Sequence, residues 1–310
     1  THFISSLNDA LTRRIIALAL DDHDLRGLRY AWLAFGSEGR NEQTLATDQD
    51  NGLIFVCHDP ATREALRQRW LGFANTVNTS LAACGFPLCK GNIMARNPEL
   101  CLTLNEWQHR FAAWIDEPNP EALLNATIFF DFRVISGDKQ LEERLRQSLN
   151  RMVQSTPNFL RMMAANALQV SPPVGRFRDF ILNDDGALDL KVFGSRLFVD
   201  AARIYALRTG LSASNTVQRL RQAGARIGIQ PDELAALIDG FHFIQSLRLR
   251  LHTQEFDAAA TGGAQTENPD RLGDNLIRPQ ELNELDRRIL KEALRQTRKL
   301  QTRLRFDYQL

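Results

Sequence analysis

Two carboxylates and a glycine-serine turn are the residues of this chain whose type and spacing could do chemistry. Asp48 and Asp50 stand two positions apart, and Asp48 follows the turn residue Gly36 by twelve positions. On an extended segment, side chains two apart share one face, with Cα atoms roughly 6.5–7 Å apart. Both carboxylates could then bind one divalent cation, since Mg²⁺ takes oxygen ligands. A turn of Gly36 and Ser37 beside this pair is suited to hold a metal-bound triphosphate.

Two better-known phosphate motifs do not fit this stretch. The sequence GSEGRNEQT lacks the Gly-Lys-Ser/Thr ending of a P-loop, and its glycines are too few and wrongly spaced for a dinucleotide fingerprint. What fits is the nucleotidyltransferase pattern of a strand, Gly-Ser, a spacer and Asp-x-Asp on the next strand. In that chemistry a nucleophile attacks the α-phosphorus of a nucleoside triphosphate and pyrophosphate leaves, while divalent metal neutralises the developing charge.

Each residue of the pattern has a predicted role in that chemistry. Asp48 and Asp50 would be the catalytic metal ligands, with Mg²⁺ or Mn²⁺ as the cofactor. Backbone amides around the turn form an anion nest for phosphates, and an arginine adds charge-assisted hydrogen bonds. A lone Asp-x-Asp is usually a solvated loop pair, and for the lysine of this set a solvated surface role is an equally good interpretation. The predicted nucleotide-binding residues are Gly36, Ser37, Gly39, Arg40, Thr47 and Lys90.

Composition limits the classes of partner and compartment. The 310 residues can form two domains with cores of their own, and a formal net charge of +1 gives little attraction to nucleic acid or anionic lipid. No apolar run approaches the ~20 residues that span a bilayer. The four cysteines form no CxxC pair, so buried thiols in a reducing cytosol are a better interpretation than a disulfide framework or a zinc site. We therefore expect a cytoplasmic protein.

Hydrophobic periodicity predicts an α+β fold, with a small mixed sheet and flanking helices followed by an α-helical bundle. We expect a nucleotidyltransferase-like domain over residues 1–104. A helical domain should follow over residues 105–310, with an internal corner at the proline pair near 171–175. Strands are predicted at 29–35, 52–57 and 86–94, and helices at 4–20, 62–84, 105–115, 121–135, 141–152, 158–170, 195–208, 216–223, 231–252 and 279–306.

Some later segments carry side chains that could belong either to the core or to a site. Trp107, Phe111 and Trp114 have the spacing of core packing on one helix face. Asp131 and Arg133, on the predicted helix 121–135, indicate a structural ion pair or a domain-interface contact rather than a catalytic pair. The small, polar and glycine-rich stretch 256–274 is predicted to be a loop.

The stretch GSEGRNEQTLATDQDN, residues 36–51, closely resembles the nucleotidyltransferase family found attached to CBS and cyclic-nucleotide-binding-type regulatory domains in bacterial signalling proteins. It is more distantly similar to the nucleotidyltransferase domain of the PII-protein uridylyltransferase. The resemblance continues through CKGNIMARNP, IFFDFRVISGD, LDLKVFGSRLFVDAARIYALRTG, TVQRL and LRLRLHTQ. It implies a nucleotidyltransferase fold followed by a helical bundle of the kind called a substrate-binding domain. It also implies a nucleoside triphosphate substrate and an acceptor that could be a regulatory protein. It also implies regulatory domains ahead of Thr1, which suits a sequence that does not begin with Met.

One departure from the pattern keeps two functions open. Many nucleotidyltransferases place a third carboxylate on the strand after Asp-x-Asp, whereas the predicted strand 86–94 offers Cys89, Lys90 and Asn92 but no acid. Either the site works with two carboxylates, as a transferase, or the domain only binds nucleotide and relays its occupancy to attached regulatory domains. A nucleic-acid polymerase is a weaker option because of the low net charge.

Overall fold

The computed structural model describes residues 1–46, 48–175, 180–260 and 274–310, with side chains of the third range described to 257. The chain divides into two compact units. The first unit comprises Thr1–Gln43 and Thr47–Thr156, and the second comprises Thr44–Ala46 and Pro157–Leu310. The boundary predicted between residues 104 and 105 falls inside the first unit of this division. The predicted corner near residues 171–175 stays a prediction.

The first unit is built on a four-stranded mixed sheet in the order β3-β2-β1-β4. Strand β1 pairs antiparallel with both β2 and β4, whereas β2 and β3 run parallel. Every residue of β1 and β2 is buried, because helices cover both faces of the sheet. The strands are β1 (Tyr30–Ala34), β2 (Asn51–Phe55), β3 (Cys101–Thr103) and β4 (Arg133–Gly137).

Helices pack on both faces of this sheet. Alternate β1 residues such as Trp32 join a core formed with α1 and α3. On the other face, Trp107 of α4 is fully buried against Phe35 and donates from Nε1 to the Leu53 carbonyl at 3.1 Å. The core role predicted for the Trp107 helix face is therefore confirmed. The helices of this unit are α1 (His2–Asp22), α2 (Gly36–Gly39), α3 (Arg63–Ala83), α4 (Leu104–Asp116), α5 (Pro120–Phe129) and α6 (Lys139–Ser155).

Two predicted elements of the first unit are wrong. Residues 86–94 form turns and irregular chain, and the strand that pairs with β2 is β3 at Cys101–Thr103. The helix predicted over 121–135 ends at Phe129, and its last part is strand β4. In both places tertiary pairing decides: β4 pairs antiparallel with β1 through four residue pairs and one register shift, and this pairing outweighs the local helical pattern.

The second unit is helical and contains a short two-stranded sheet, which pairs β5 (Leu188–Asp189) with β6 (Leu276–Ile277). Helix α8 is its centre, since every residue from Leu197 to Leu207 is buried. A π-helical segment, Lys191–Ser195, leads into α8. Most of the predicted stretch 256–274 lies outside the described residues. The helices are α7 (Pro157–Ala167), α8 (Arg196–Arg208), α9 (Thr216–Arg226), α10 (Pro231–Ala260) and α11 (Glu284–Tyr308).

The α+β class predicted from periodicity is confirmed, with a small mixed sheet and helices around and after it. Among the described residues no helix is both long and apolar enough to cross a membrane. All four cysteines are free thiols, but only Cys101 is buried; Cys57 and Cys89 are half-buried and Cys84 is exposed. The prediction of four buried thiols is thus wrong for three of them.

Candidate active site

The two predicted metal ligands lie just before β2, at one end of the sheet. Asp48 is exposed and Asp50 is half-buried, and each offers a carboxylate oxygen within 4.8 Å of the other. The peptide carbonyl of Asp50 accepts a hydrogen bond from the Phe35 amide at 2.8 Å, which extends the β1–β2 ladder by one step. The pair is therefore anchored to the sheet although strand β2 itself begins one residue later.

Gly36 lets the turn approach this pair. Its φ of +55° lies in the left-handed region, and a Cβ atom there would lie 3.3 Å from Oδ2 of Asp50. A side chain at this position would be both strained and in tight contact with the carboxylate. Glycine thus brings the turn and Asp50 together, and this is the juxtaposition that the Gly-Ser and Asp-x-Asp spacing predicted. Ser37 follows in the first turn of α2 and is half-buried.

The residues between and after the aspartates point the other way and are buried. Gln49 and Asn51 are each 2% exposed, and both bind the fully buried carboxamide of Asn78 on α3. Asn78 Nδ2 donates to Gln49 Oε1 at 2.7 Å and to Asn51 Oδ1 at 3.0 Å. The two-residue alternation of a nearly extended chain therefore separates two functions: carboxylates on one face and a structural amide network on the other.

The amide network holds a second segment against the aspartates. Gln49 donates to the carbonyls of Phe86 and Pro87, at 2.9 and 3.1 Å, and the Asn51 amide donates to the Ile93 carbonyl at 3.0 Å. The Ala95 amide in turn donates to Asn51 Oδ1 at 2.8 Å. Both ends of the loop 87–93 are thereby attached to the segment that carries Asp48 and Asp50.

Cys89 is the residue of that loop that reaches the carboxylates. Its Sγ and one oxygen from each of Asp48 and Asp50 all lie within 4.8 Å of one another. Burial is the main cause that raises the pKa of the Cys89 thiol, and the negative charges of both aspartates add to it. Lys90, the predicted phosphate ligand, follows Cys89 and is exposed. Spacing alone did not reveal Cys89, because the loop that carries it is irregular.

Arg40 lies inside a buried ion-pair cluster. Its guanidinium donates to Glu42 at 2.8 Å and to Asp131 at 2.7 Å, and the Asp131 side chain is fully buried. Asp131 lies after the end of α5 and before β4, not on a helix as predicted, and its ion pair is with Arg40, whereas Arg133 pairs with Asp9. Gly39 packs directly against the backbone of Asp131, because a Cβ atom at Gly39 would collide with the Asp131 carbonyl oxygen. Arg40 and Gly39 therefore fix the turn after β1.

Glu38 is a carboxyl group near the site that sequence reasoning missed. Burial, followed by the charges of Asp9, Asp50 and Asp48, raises the pKa of Glu38 to about 8, against the lowering effect of Arg133. Arg133 cannot neutralise the site fully, since both of its terminal nitrogens donate to Asp9 at 2.7 Å. The charges of Asp48 and Asp50 thus act on Glu38, and a cation bound by the two aspartates would oppose their effect on its pKa.

The chemistry of this donor set fits a divalent metal ion. Two carboxylate oxygens converge, and glycine provides the close approach. The predicted residue Thr47 lies outside the described residues. A separate cavity of about 360 Å³ lies beyond the opposite end of β2, between Arg63 and Arg144, and it includes none of the predicted site residues.

Two family models match the chain. Residues 1–121 match the family described as "Putative nucleotidyltransferase DUF294". Residues 157–308 match the one described as "Putative nucleotidyltransferase substrate binding domain". Between them the matches leave out only residues 122–156 and the last two residues. No curated protein matches the chain.

These matches divide the chain into two parts. The N-terminal part, with strands β1 to β3 and the aspartate pair, is similar to putative nucleotidyltransferases, and the C-terminal helices are similar to the substrate-binding domain of such proteins. The resemblance to this family seen in residues 36–51 is confirmed. The association with CBS domains and the likeness to the PII-protein uridylyltransferase stay predictions.

Proposed function

We propose that the protein is a metal-dependent nucleotidyltransferase that moves a nucleoside monophosphate from a nucleoside triphosphate to an acceptor. The observation that carries this proposal is the convergence of Asp48 and Asp50 directly beside the Gly36 turn. Two carboxylates able to share a cation, next to the amides of the turn, meet the two needs of this reaction, which are charge neutralisation and phosphate positioning.

In this mechanism Asp48 and Asp50 would hold Mg²⁺ or Mn²⁺ through their carboxylate oxygens. The chemistry supplied by such an ion would be neutralisation of charge on the phosphoryl oxygens and a lower pKa of the attacking group. The amides of Gly36 and Ser37, in the first turn of α2, have no helical acceptor and can donate to the β- and γ-phosphates. Gly39 and Arg40 keep that turn in place, and exposed Lys90 can reach the triphosphate from the neighbouring loop. Thr47 stays in the proposed nucleotide-binding set.

The acceptor and the setting follow from the proposed class. We place the substrate-binding helices of residues 157–308 in the role of presenting an acceptor, which the family resemblance suggests is a regulatory protein in bacterial signalling. Regulatory domains attached ahead of Thr1 are part of the same proposal. A cytoplasmic location suits both the nucleoside triphosphate substrate and four cysteines that are free thiols.

Incorporation of label tests the transfer. The full chain is incubated with each α-³²P-labelled triphosphate, Mg²⁺ and a lysate depleted of small molecules. We expect one triphosphate to label an acceptor, and Asp48→Asn and Asp50→Asn each to abolish the labelling. Glu143→Gln, an exposed carboxylate on α6, is the matched control and should label as the wild type does. Labelling that persists in both aspartate variants would contradict the assignment.

The alternative is a catalytically silent nucleotide sensor that relays its occupancy to attached regulatory domains. It is favoured by one observation: among the described residues, the third metal-capable group beside the aspartates is a thiol and not an acid. A sensor would bind a triphosphate with Mg²⁺ in calorimetry and release no pyrophosphate. Turnover of any triphosphate that depends on Asp48 and Asp50 would rule the sensor out.

A further inference from the structure

We infer that Cys89 is the third protein ligand of the divalent cation, and that the site therefore binds Zn²⁺ and Co²⁺ more tightly than Mg²⁺. The inference rests on the proposed metal site at Asp48 and Asp50 and deepens it. Its consequence is a mixed oxygen and sulfur donor set in the place where a third carboxylate is expected.

The distances between the three donor atoms support a single shared ion. In a tetrahedral zinc site with Zn–O and Zn–S bonds of ~2.1 and ~2.3 Å, the oxygen and sulfur ligands lie roughly 3.4–3.6 Å from one another. The donor atoms of Asp48, Asp50 and Cys89 all lie within 4.8 Å of one another. A shortening of these separations by about 1 Å, through side-chain rotation, therefore brings the three donors around one ion.

The position of Cys89 is built into the fold rather than left to a mobile loop. The amide network of Gln49, Asn51 and Asn78 attaches the chain on both sides of Cys89 to the segment that carries the aspartates. Within the loop, the Asn92 amide donates to the Cys89 carbonyl at 2.9 Å, and Asn92 adopts a φ of +55°. These bonds form a tight turn immediately after the cysteine.

That turn also directs hydrogen-bond donors at the sulfur. The backbone amides of Gly91 and Ile93 donate to Cys89 Sγ. Such amide donors are the outer contacts that orient and stabilise a metal-bound thiolate. When the ion binds, the S–H bond breaks, a metal–sulfur bond forms, and one proton leaves to solvent.

The donor set determines the preference for the metal. Mg²⁺ prefers oxygen ligands and keeps several waters, whereas a thiolate favours softer cations such as Zn²⁺. A site with two carboxylates and one thiolate should therefore discriminate against Mg²⁺ when both cations compete. Replacing the sulfur by oxygen should remove most of that discrimination without abolishing metal binding.

Cobalt and zinc titrations of the full chain test the inference without any nucleotide. Co²⁺ should produce a thiolate-to-metal charge-transfer band in the near ultraviolet, and Cys89→Ser should remove that band. The same variant should weaken Zn²⁺ binding about 10-fold or more and change Mg²⁺ binding much less. Cys84→Ser, an exposed thiol outside the site, is the matched control and should keep both the band and the affinity.

A second measurement uses only the wild-type protein, so it stands even if a variant folds poorly. X-ray absorption of the zinc-loaded chain should show one sulfur neighbour at about 2.3 Å. Zinc bound with oxygen neighbours alone, or Co²⁺ bound without the charge-transfer band, would overturn the role of Cys89. Failure of nucleotidyl transfer would leave these spectra unchanged, so the two proposals can fail separately.

Discussion

At the scale of single residues, two carboxylates converge at the site and act on a third carboxyl group. Asp48 and Asp50 each offer an oxygen to one position, and the charges of both raise the pKa of Glu38. A divalent cation that binds the two aspartates only in the folded chain would stabilise the fold.

Glu38 makes this charge visible in the pH dependence of stability. Its pKa is about 8 in the folded chain, above the ordinary value of 4.5, so the folded state holds a proton that the unfolded state has lost. The contribution of Glu38 to stability is therefore present below pH 4.5 and is lost as the pH rises towards 8. We expect the Tm of the EDTA-treated wild type to fall relative to that of Glu38→Gln across this window, measured by thermal denaturation. A constant Tm difference between the two proteins would contradict the raised pKa.

Gly36 links backbone conformation to the metal site. Gly36→Ala places a Cβ atom in the left-handed region and 3.3 Å from Asp50 Oδ2, so it should both strain the turn and displace a ligand. The strain should cost about 1–2 kcal/mol in the free energy of unfolding, measured by urea denaturation. Calorimetry should show weaker Mn²⁺ binding.

Gly27 offers the matched control for this experiment. Its φ is +83°, yet a Cβ atom there would have no neighbour within 4 Å. Gly27→Ala should therefore have a similar cost in stability and leave Mn²⁺ affinity unchanged. Equal losses of affinity in the two variants would show that the Gly36 contact with Asp50 is unimportant.

At the scale of elements, helix α3 contributes to the site through a single buried carboxamide. Asn78 binds Gln49 and Asn51, and its own Oδ1 accepts from the Arg96 amide at 3.1 Å. It thus ties together α3, the aspartate segment and the loop of Cys89. Helix α3 thus helps to position the proposed metal ligands through hydrogen bonds to the segments that carry them.

Removing that carboxamide should disturb both stability and the site. Asn78→Ala leaves buried partners unsatisfied, and we expect a loss of about 2–4 kcal/mol in urea denaturation together with weaker Mn²⁺ binding. Gln68→Ala, at an exposed position on the same helix, should change stability by less than about 0.5 kcal/mol. Unchanged Mn²⁺ affinity in folded Asn78→Ala would mean that the network does not position the ligands.

How far the sequence predicts these elements depends on whether their signals are local. The strands before and after Gly36-Ser37 and the alternation around Asp48 are local patterns, and both are found in the structure. Strand β4 was missed because its stability comes from pairing with β1, about a hundred residues away. Cys89 was not recognised as a neighbour of the aspartates because its loop follows no periodic pattern. Hydrogen bonds with the side chains of Gln49 and Asn51 hold that loop in place.

At the scale of the whole molecule, each of the two compact units has a core of its own, and Asp48, Asp50 and Cys89 all belong to the first unit. The matches to two separate family models follow the same division of the chain. Metal binding is therefore expected to act first on the unit that contains the sheet.

Hydrogen exchange measured by mass spectrometry can locate this effect. Mg²⁺ should slow exchange in peptides that cover residues 48–55 and 86–96, because the ion links these segments. Peptides from the buried helix α8 should exchange at unchanged rates. Slowing confined to the second unit, or slowing that persists in Asp48→Asn/Asp50→Asn, would place the ion elsewhere.

Nucleotidyl transfer at the aspartate pair is tested most directly by release of pyrophosphate. The purified chain would be incubated with each of the four nucleoside triphosphates, a divalent cation and an acceptor-containing extract. We predict release with a preferred triphosphate, and its loss in Asp48→Asn/Asp50→Asn but not in Glu143→Gln. Release that is equal in the wild type and the aspartate variant, or no release despite metal-dependent triphosphate binding, would contradict a transferase at this site.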